Sequence, residues 1–97
     1  MKVVWSPLAL ERVEAIADYI AEDNVDAARV FLIDIFAAGG RLRSFPQSGR
    51  SVSEVNRPDI REIIFKKYRV IYRVGRQQVS ILTVRHGKQR LPLGEVE

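Results

Sequence analysis

The chain contains no cysteine, a single histidine, a single tryptophan and a single methionine among 97 residues. Without thiols it can build neither a disulfide framework nor a thiolate metal site, and it is suited to a reducing cytosol. One histidine leaves too few ligands for a soft metal, although carboxylates alone could hold magnesium; no metal and no cofactor is expected. Gly39-Gly40 is the only glycine pair. It lacks the spacing and the following Lys-Ser/Thr of a phosphate-cradling loop. No apolar run approaches the roughly 20 residues of a spanning helix. Lys2 is followed by Val-Val-Trp and then Ser6-Pro7 with charges close behind, which is not the long apolar core of a secretory signal. A cytoplasmic protein with no membrane partner is expected, and 97 residues leave room for one domain, 1–97.

What is present is charge, unevenly placed. The net charge is +4, yet residues 1–40 carry three basic and seven acidic side chains, while residues 57–90 carry ten basic ones against Asp59 and Glu62. Concentrated positive potential of this kind suits a polyanionic partner, either nucleic acid or an acidic protein. The plainer alternative is a solvated basic face.

Lys2–Trp5 is a short β-prone run. Ser6 is a good N-cap and Pro7 suits the first helical position, so a helix is predicted over about 7–22, with Val13, Ile16, Ala17 and Ile20 at helical spacing. Asn24 is a candidate cap for a second helix. Ala28, Phe31, Ile35, Ala38 and Leu42 form one stripe that keeps its phase through both glycines, which predicts continuation to about Arg43 despite a cost of ~1 kcal/mol per glycine. Residues 44–59, with Pro46, Gly49 and Pro58, read as a loop. Three β-like runs follow: 60–65, 68–74 and 78–85. The short connections between them imply antiparallel pairing. In 68–74, Tyr68, Val70, Tyr72 and Val74 fall on one face and Arg69, Ile71 and Arg73 on the other. The predicted architecture is α+β in the order β-α-α-β-β-β, a helical hairpin packed on a small antiparallel sheet joined by the first strand.

Four segments in this order carry a family likeness: Trp5-Ser6-Pro7-Leu8-Ala9, Phe45-Pro46-Gln47-Ser48-Gly49-Arg50, Arg61-Glu62-Ile63-Ile64 running into Tyr68-Arg69-Val70-Ile71-Tyr72-Arg73-Val74, and Val84-Arg85-His86-Gly87-Lys88. Over about residues 3–90 the chain resembles the RelE/ParE toxin superfamily of type II toxin–antitoxin systems, most closely its ParE-like members. The resemblance implies a toxin held inactive by a cognate antitoxin, ParD-like in the ParE case. It also implies one of two targets: DNA gyrase, possibly with DNA, or the ribosome and its mRNA, cut by a RelE-like endoribonuclease.

Metal-free RNA cleavage needs a base, a proton donor and cations for the phosphorane charge. In that case His86, Arg61, Arg69 and Lys88 are the candidate catalytic residues. No tyrosine follows Tyr72, and glycine rather than tyrosine follows His86, so the RelE-like pattern is incomplete. In the gyrase case Arg69, Arg73, Arg85, Lys88 and Arg90 form the expected target-binding surface, and no turnover is required. A toxin reduced to antitoxin binding, or a basic nucleic-acid-binding module, stays open as well. Val25, Val30, Ile33 and Ala37 lie off the main stripe of the second helix and give the hairpin surplus apolar surface. An antitoxin segment is expected to bind there.

Overall fold

The computed structural model describes residues 1–96. Strand β1 (Lys2–Trp5) leads into helix α1 (Pro7–Ala21), helix α2 (Val25–Gly40) and a 3₁₀ turn over Arg41–Arg43; then come β2 (Arg50–Ser51), β3 (Ile60–Phe65), β4 (Tyr68–Val74), β5 (Gln78–His86) and a 3₁₀ turn at Leu93–Glu95. The five strands form one sheet in the order β1-β5-β4-β3-β2.

Both helix starts follow from their caps. Ser6 Oγ accepts the Ala9 N–H at 3.0 Å, and Asn24 Oδ1 accepts the Ala27 N–H at 3.0 Å. The α-helical part of the second helix ends at Gly40, short of Arg43. The 3₁₀ turn over the next three residues still carries Leu42 into the core. Gly39 does not break the helix, because its function is steric: a Cβ there would overlap the indole of Trp5. The glycine is a notch into which β1 lays its one large ring.

Two expectations for the sheet need correction. It is mixed rather than antiparallel, since β1 runs parallel to β5 with Lys2 opposite Gln78 and Trp5 opposite Ile81. The loop 44–59 also contains a strand, as Arg50 and Ser51 pair antiparallel with Glu62 and Arg61. Neither residue has a β-pattern of its own; the strand is held from β3.

The sheet is covered on both faces. Against the helices, Val13, Phe31, Ile35, Val70, Tyr72, Ile81 and their neighbours form the main core. On the outer face, Ile60, Ile71 and Leu82 are sealed by Val52 from the loop and by Leu91 and Val96 from the tail. A register shift opposite Ile71/Tyr72 leaves Leu82 as an extra residue of β5. Such a bulge lets two successive side chains share a face: Leu82 joins the outer core and Thr83 bonds outward to Glu95. The bulged Leu82 carbonyl accepts the Ser6 hydroxyl at 2.8 Å, tying the α1 cap to the sheet. Tyr72, fully buried, donates to the Pro46 carbonyl and accepts from the Gly49 N–H, and burial pushes its phenol pKa up.

The β3–β4 connection is the two-residue turn Lys66-Lys67, and Lys66 sits at φ 53°, a conformation that disfavours any residue with a Cβ. Lys66→Gly is therefore expected to stabilise the chain by about 0.5–1 kcal/mol, once the greater freedom of glycine in the unfolded chain is allowed for. Thermal or urea unfolding measures it, and a loss of stability would contradict the strained geometry.

Candidate functional site

The basic half of the sequence divides into two populations. On the outer face Arg69 and Arg85 lie opposite each other on β4 and β5, an unfavourable pairing unless each charge is met. Arg69 is almost fully buried. Its Nε reaches Glu62 Oε1 at 2.7 Å, and its two terminal nitrogens reach the Glu54 carboxylate at 2.8 Å each, a bidentate fork. One of those nitrogens also bonds the Gln89 carbonyl at 3.2 Å. The Arg69 fork holds the Glu54 carboxyl far below the ordinary carboxylate range, and Glu54 in turn raises the guanidinium pKa of Arg69. Glu54 also accepts the Leu91 N–H at 2.9 Å, so one carboxylate fastens the loop, the sheet and the tail together.

Glu95 makes a second clamp. It accepts from Arg85 at 2.6 Å, Thr83 at 2.8 Å and Arg12 of α1 at 3.0 Å, and Arg85 above all lowers its pKa. The four carboxylates of residues 41–96 (Glu54, Asp59, Glu62 and Glu95) all pair, and always with arginine. Among the described residues no lysine takes part in an ion pair.

This arrangement separates the residues singled out from sequence. Arg69 and Arg85 are both held in ion pairs, Arg69 buried and Arg85 partly exposed. Arg61 donates to the Gly49 carbonyl at 2.8 Å and keeps a buried Nε without a partner. Arg73 sits at the far end of β4, opposite Ile60 and Ser80. Only Lys88 and Arg90 of the set are exposed at the end where β5 leaves the sheet. His86 ends β5 there, with its Nδ1 accepting the Lys88 N–H at 3.2 Å and its ring set edge-on to Tyr68, centroids 5.9 Å apart. The pair borders a hollow of about 260 Å³ shared with Arg12, Ile16, Tyr19 and Arg85. Among the described residues no group of His, Asp and Glu is placed to hold a metal ion, and no helix is long and apolar enough to cross a membrane.

Residues 3–91 match the model of the family described as "ParE toxin of type II toxin-antitoxin system, parDE". The chain belongs to the ParE toxin family. Among its relatives is Y4kP of Sinorhizobium fredii (strain NBRC 101917 / NGR234), a protein named as a candidate toxin. It is 35% identical over 96 residues, which cover 94% of this chain and 93% of Y4kP. The fold is also that of a chain from the chromosomal ParDE toxin–antitoxin system of P. aeruginosa, with a TM-score of 0.73 at 21% identity over 89% of this chain and 95% of that one. The molecule is thus a ParE-family toxin of a type II toxin–antitoxin system, and an antitoxin is its cognate partner.

The ParE-family chain leaves one helix face bare. Val25, Val30 and Ile33 are exposed by 64%, 51% and 63%, and Phe36 and Ala37 continue the strip along α2. These side chains lie opposite the buried stripe of Phe31, Ile35 and Ala38. The exposed Asp26–Arg29 pair interrupts the strip near its start, and from Val30 onward α2 is apolar on its open side as well as its buried one, apart from Asp34. Four of these residues stand out in the sequence and Phe36 does not; in the fold Phe36 leans edge-on against Trp5 at 4.9 Å and stays partly open. Glu54 and Glu95 do not stand out in the sequence as partners of Arg69 and Arg85 either. The available signal was scarcity: a lone Glu54 or Glu95 in so basic a half is best explained by a fixed cationic partner.

Proposed function

We propose that this ParE-family toxin arrests growth by inhibiting DNA gyrase in the cytoplasm, as a binder without turnover, and that a ParD-like antitoxin silences it by covering the α2 strip of Val25, Val30, Ile33 and Ala37. The parDE description of the family and the ParDE origin of the P. aeruginosa structure support this choice of target and antitoxin. The observation that carries it is the fate of the arginines. A nuclease needs cations whose donors are free to face its scissile phosphate, but those of Arg69 and Arg85 are committed to Glu54, Glu62 and Glu95 on the outer face. What remains open at that end of the sheet, Lys88 and Arg90, suits a binding surface.

One observation favours mRNA cleavage: Tyr68 supplies beside His86 the tyrosine that the sequence around His86 lacks. A single substitution separates the two. A general acid–base group contributes roughly 10²–10⁴-fold to a rate, so a nuclease would lose almost all toxicity in His86→Ala. For a gyrase inhibitor the expected result is toxicity within a few-fold of the parent, whereas Lys88→Glu with Arg90→Glu lowers it sharply by reversing contact charges. The readout on induction is DNA breakage, an SOS response and filamentation. Rapid translational arrest with cut mRNA that vanishes in His86→Ala would replace the gyrase assignment with the ribosome.

A further inference from the structure

The division of labour between arginine and lysine leaves an unexplained surface. Two hollows, about 340 and 380 Å³, adjoin where the β3–β4 turn meets the exit of β5, and both are bordered by Arg50, Gly87 and Lys88. Lys66 and Lys67 rim the first and Arg90 the second. The Gly87 N–H bonds the Lys67 carbonyl at 2.7 Å, which brings the tail's basic residues beside the turn's. Lys66, Lys67, Lys88 and Arg90 are all exposed, and among the described residues none has a carboxylate partner. The floor between them is neutral once Arg50 is counted with Arg69, Glu54 and Glu62, two cations against two carboxylates. Lys66 holds its place in the turn at φ 53°, where glycine would be less strained.

We propose that this groove binds the phosphodiester backbone of duplex DNA, without reading its sequence. Two features narrow the ligand, one against an acidic protein and one against single strands. Three of the four unpaired cations are lysines, mobile point charges that can follow phosphates without a fixed geometry. The groove has no apolar centre: Ile64 is its one large aliphatic side chain, while protein interfaces gather their energy in a desolvated apolar core. No Phe, Tyr or Trp lines either hollow, so there is no platform for stacking unpaired bases. The inference deepens the gyrase assignment and rests on it for its setting. Gyrase works on DNA, and a toxin gripping the backbone beside the enzyme would be retained on the complex.

The test is fluorescence anisotropy of a 20-base-pair duplex (about 20 chosen to span two turns) with the full chain alone, across salt. Four phosphate contacts imply affinity falling about 150-fold between 50 and 200 mM salt, against roughly 3- to 4-fold in the Lys66→Gln, Lys67→Gln, Lys88→Gln variant. Lys2→Gln with Arg76→Gln, at the opposite end of the sheet, is expected to leave the dependence unchanged. The three lysines are exposed, and retained antitoxin binding certifies the fold of each variant. An unchanged salt slope in the triple variant overturns the groove, as does an equal loss in the opposite-end variant. So does displacement of the duplex by polyglutamate as readily as by unlabelled DNA, which would reveal charge attraction alone. The gyrase assignment is read separately through DNA breaks in cells. A chain that binds no duplex yet still breaks DNA removes only the groove; one that binds duplex without breakage keeps the groove and removes the gyrase target.

Discussion

Arg69→Ala is expected to leave most of the chain unfolded at 37 °C. The substitution strands Glu54, whose side chain is 13% exposed, and leaves the 4% exposed Glu62 with only the solvent-facing Arg50 for a partner. Removing one partner of a buried pair costs about 3–5 kcal/mol, most of what holds a small domain together. The loss also spreads, because Glu54 fastens the Leu91 amide and so the tail that seals the outer core. Urea unfolding gives the magnitude. Replacing all three at once (Arg69→Met, Glu54→Gln, Glu62→Gln) is expected to recover much of the stability, since no buried charge is then unpaired. A fully stable Arg69→Ala would contradict the cluster's structural role. The same clamps set the acid limit. Glu54 and Glu95 have depressed pKa values in the folded chain, held down by Arg69 and Arg85 respectively. Their contribution is therefore complete above the ordinary carboxylate range near pH 4–5 and is lost as pH falls through the lower, folded values.

Val30→Asp with Ile33→Asp is expected to weaken antitoxin binding by about 10²–10³-fold while leaving the fold intact, so that an antitoxin no longer protects cells from the chain. Both side chains are more than half exposed, which removes any reason for the folded monomer to resist the change. Covered by a partner helix, each aspartate would instead bury an unpaired charge, and 1.4 kcal/mol is already tenfold in affinity. Titration calorimetry with the purified antitoxin gives the ratio, and Glu14→Lys on the exposed polar side of α1 is a control expected to change little. Unaltered affinity in the double variant would place the antitoxin elsewhere, away from α2.

The helices, their caps and the three long strands were legible because each rests on local chemistry: Ser6 and Asn24 beside their own amides, and periodicities of 3.6 and 2. What could not be read were relations between distant residues. The parallel pairing of β1 with β5 joins two segments with no mark of mutual preference. Strand β2 exists only because β3 offers Arg50 and Ser51 a partner. The candidate target surface suffered most. Arg69 and Lys88 look alike in sequence as cations of one basic segment. Only the tail folding back over the sheet makes the first a buried anchor and leaves the second in solvent. Lys66 and Lys67 read simply as a turn, since their proximity to Lys88 depends on the Gly87–Lys67 bond.

The pairing of β1 with β5 also governs when the toxin can come into being. Ser6 caps the first helix and bonds the carbonyl of Leu82, a residue 76 positions further along the chain. On a ribosome adding roughly 5–20 residues per second, the first strand waits about 4–15 s for the neighbour that fixes it. Contacts of such long range also close slowly once both ends are available. A nascent chain therefore cannot assemble this sheet early, and harm to the cell that makes it is postponed until after synthesis. The helical hairpin, whose contacts are local, does not have to wait for that closure.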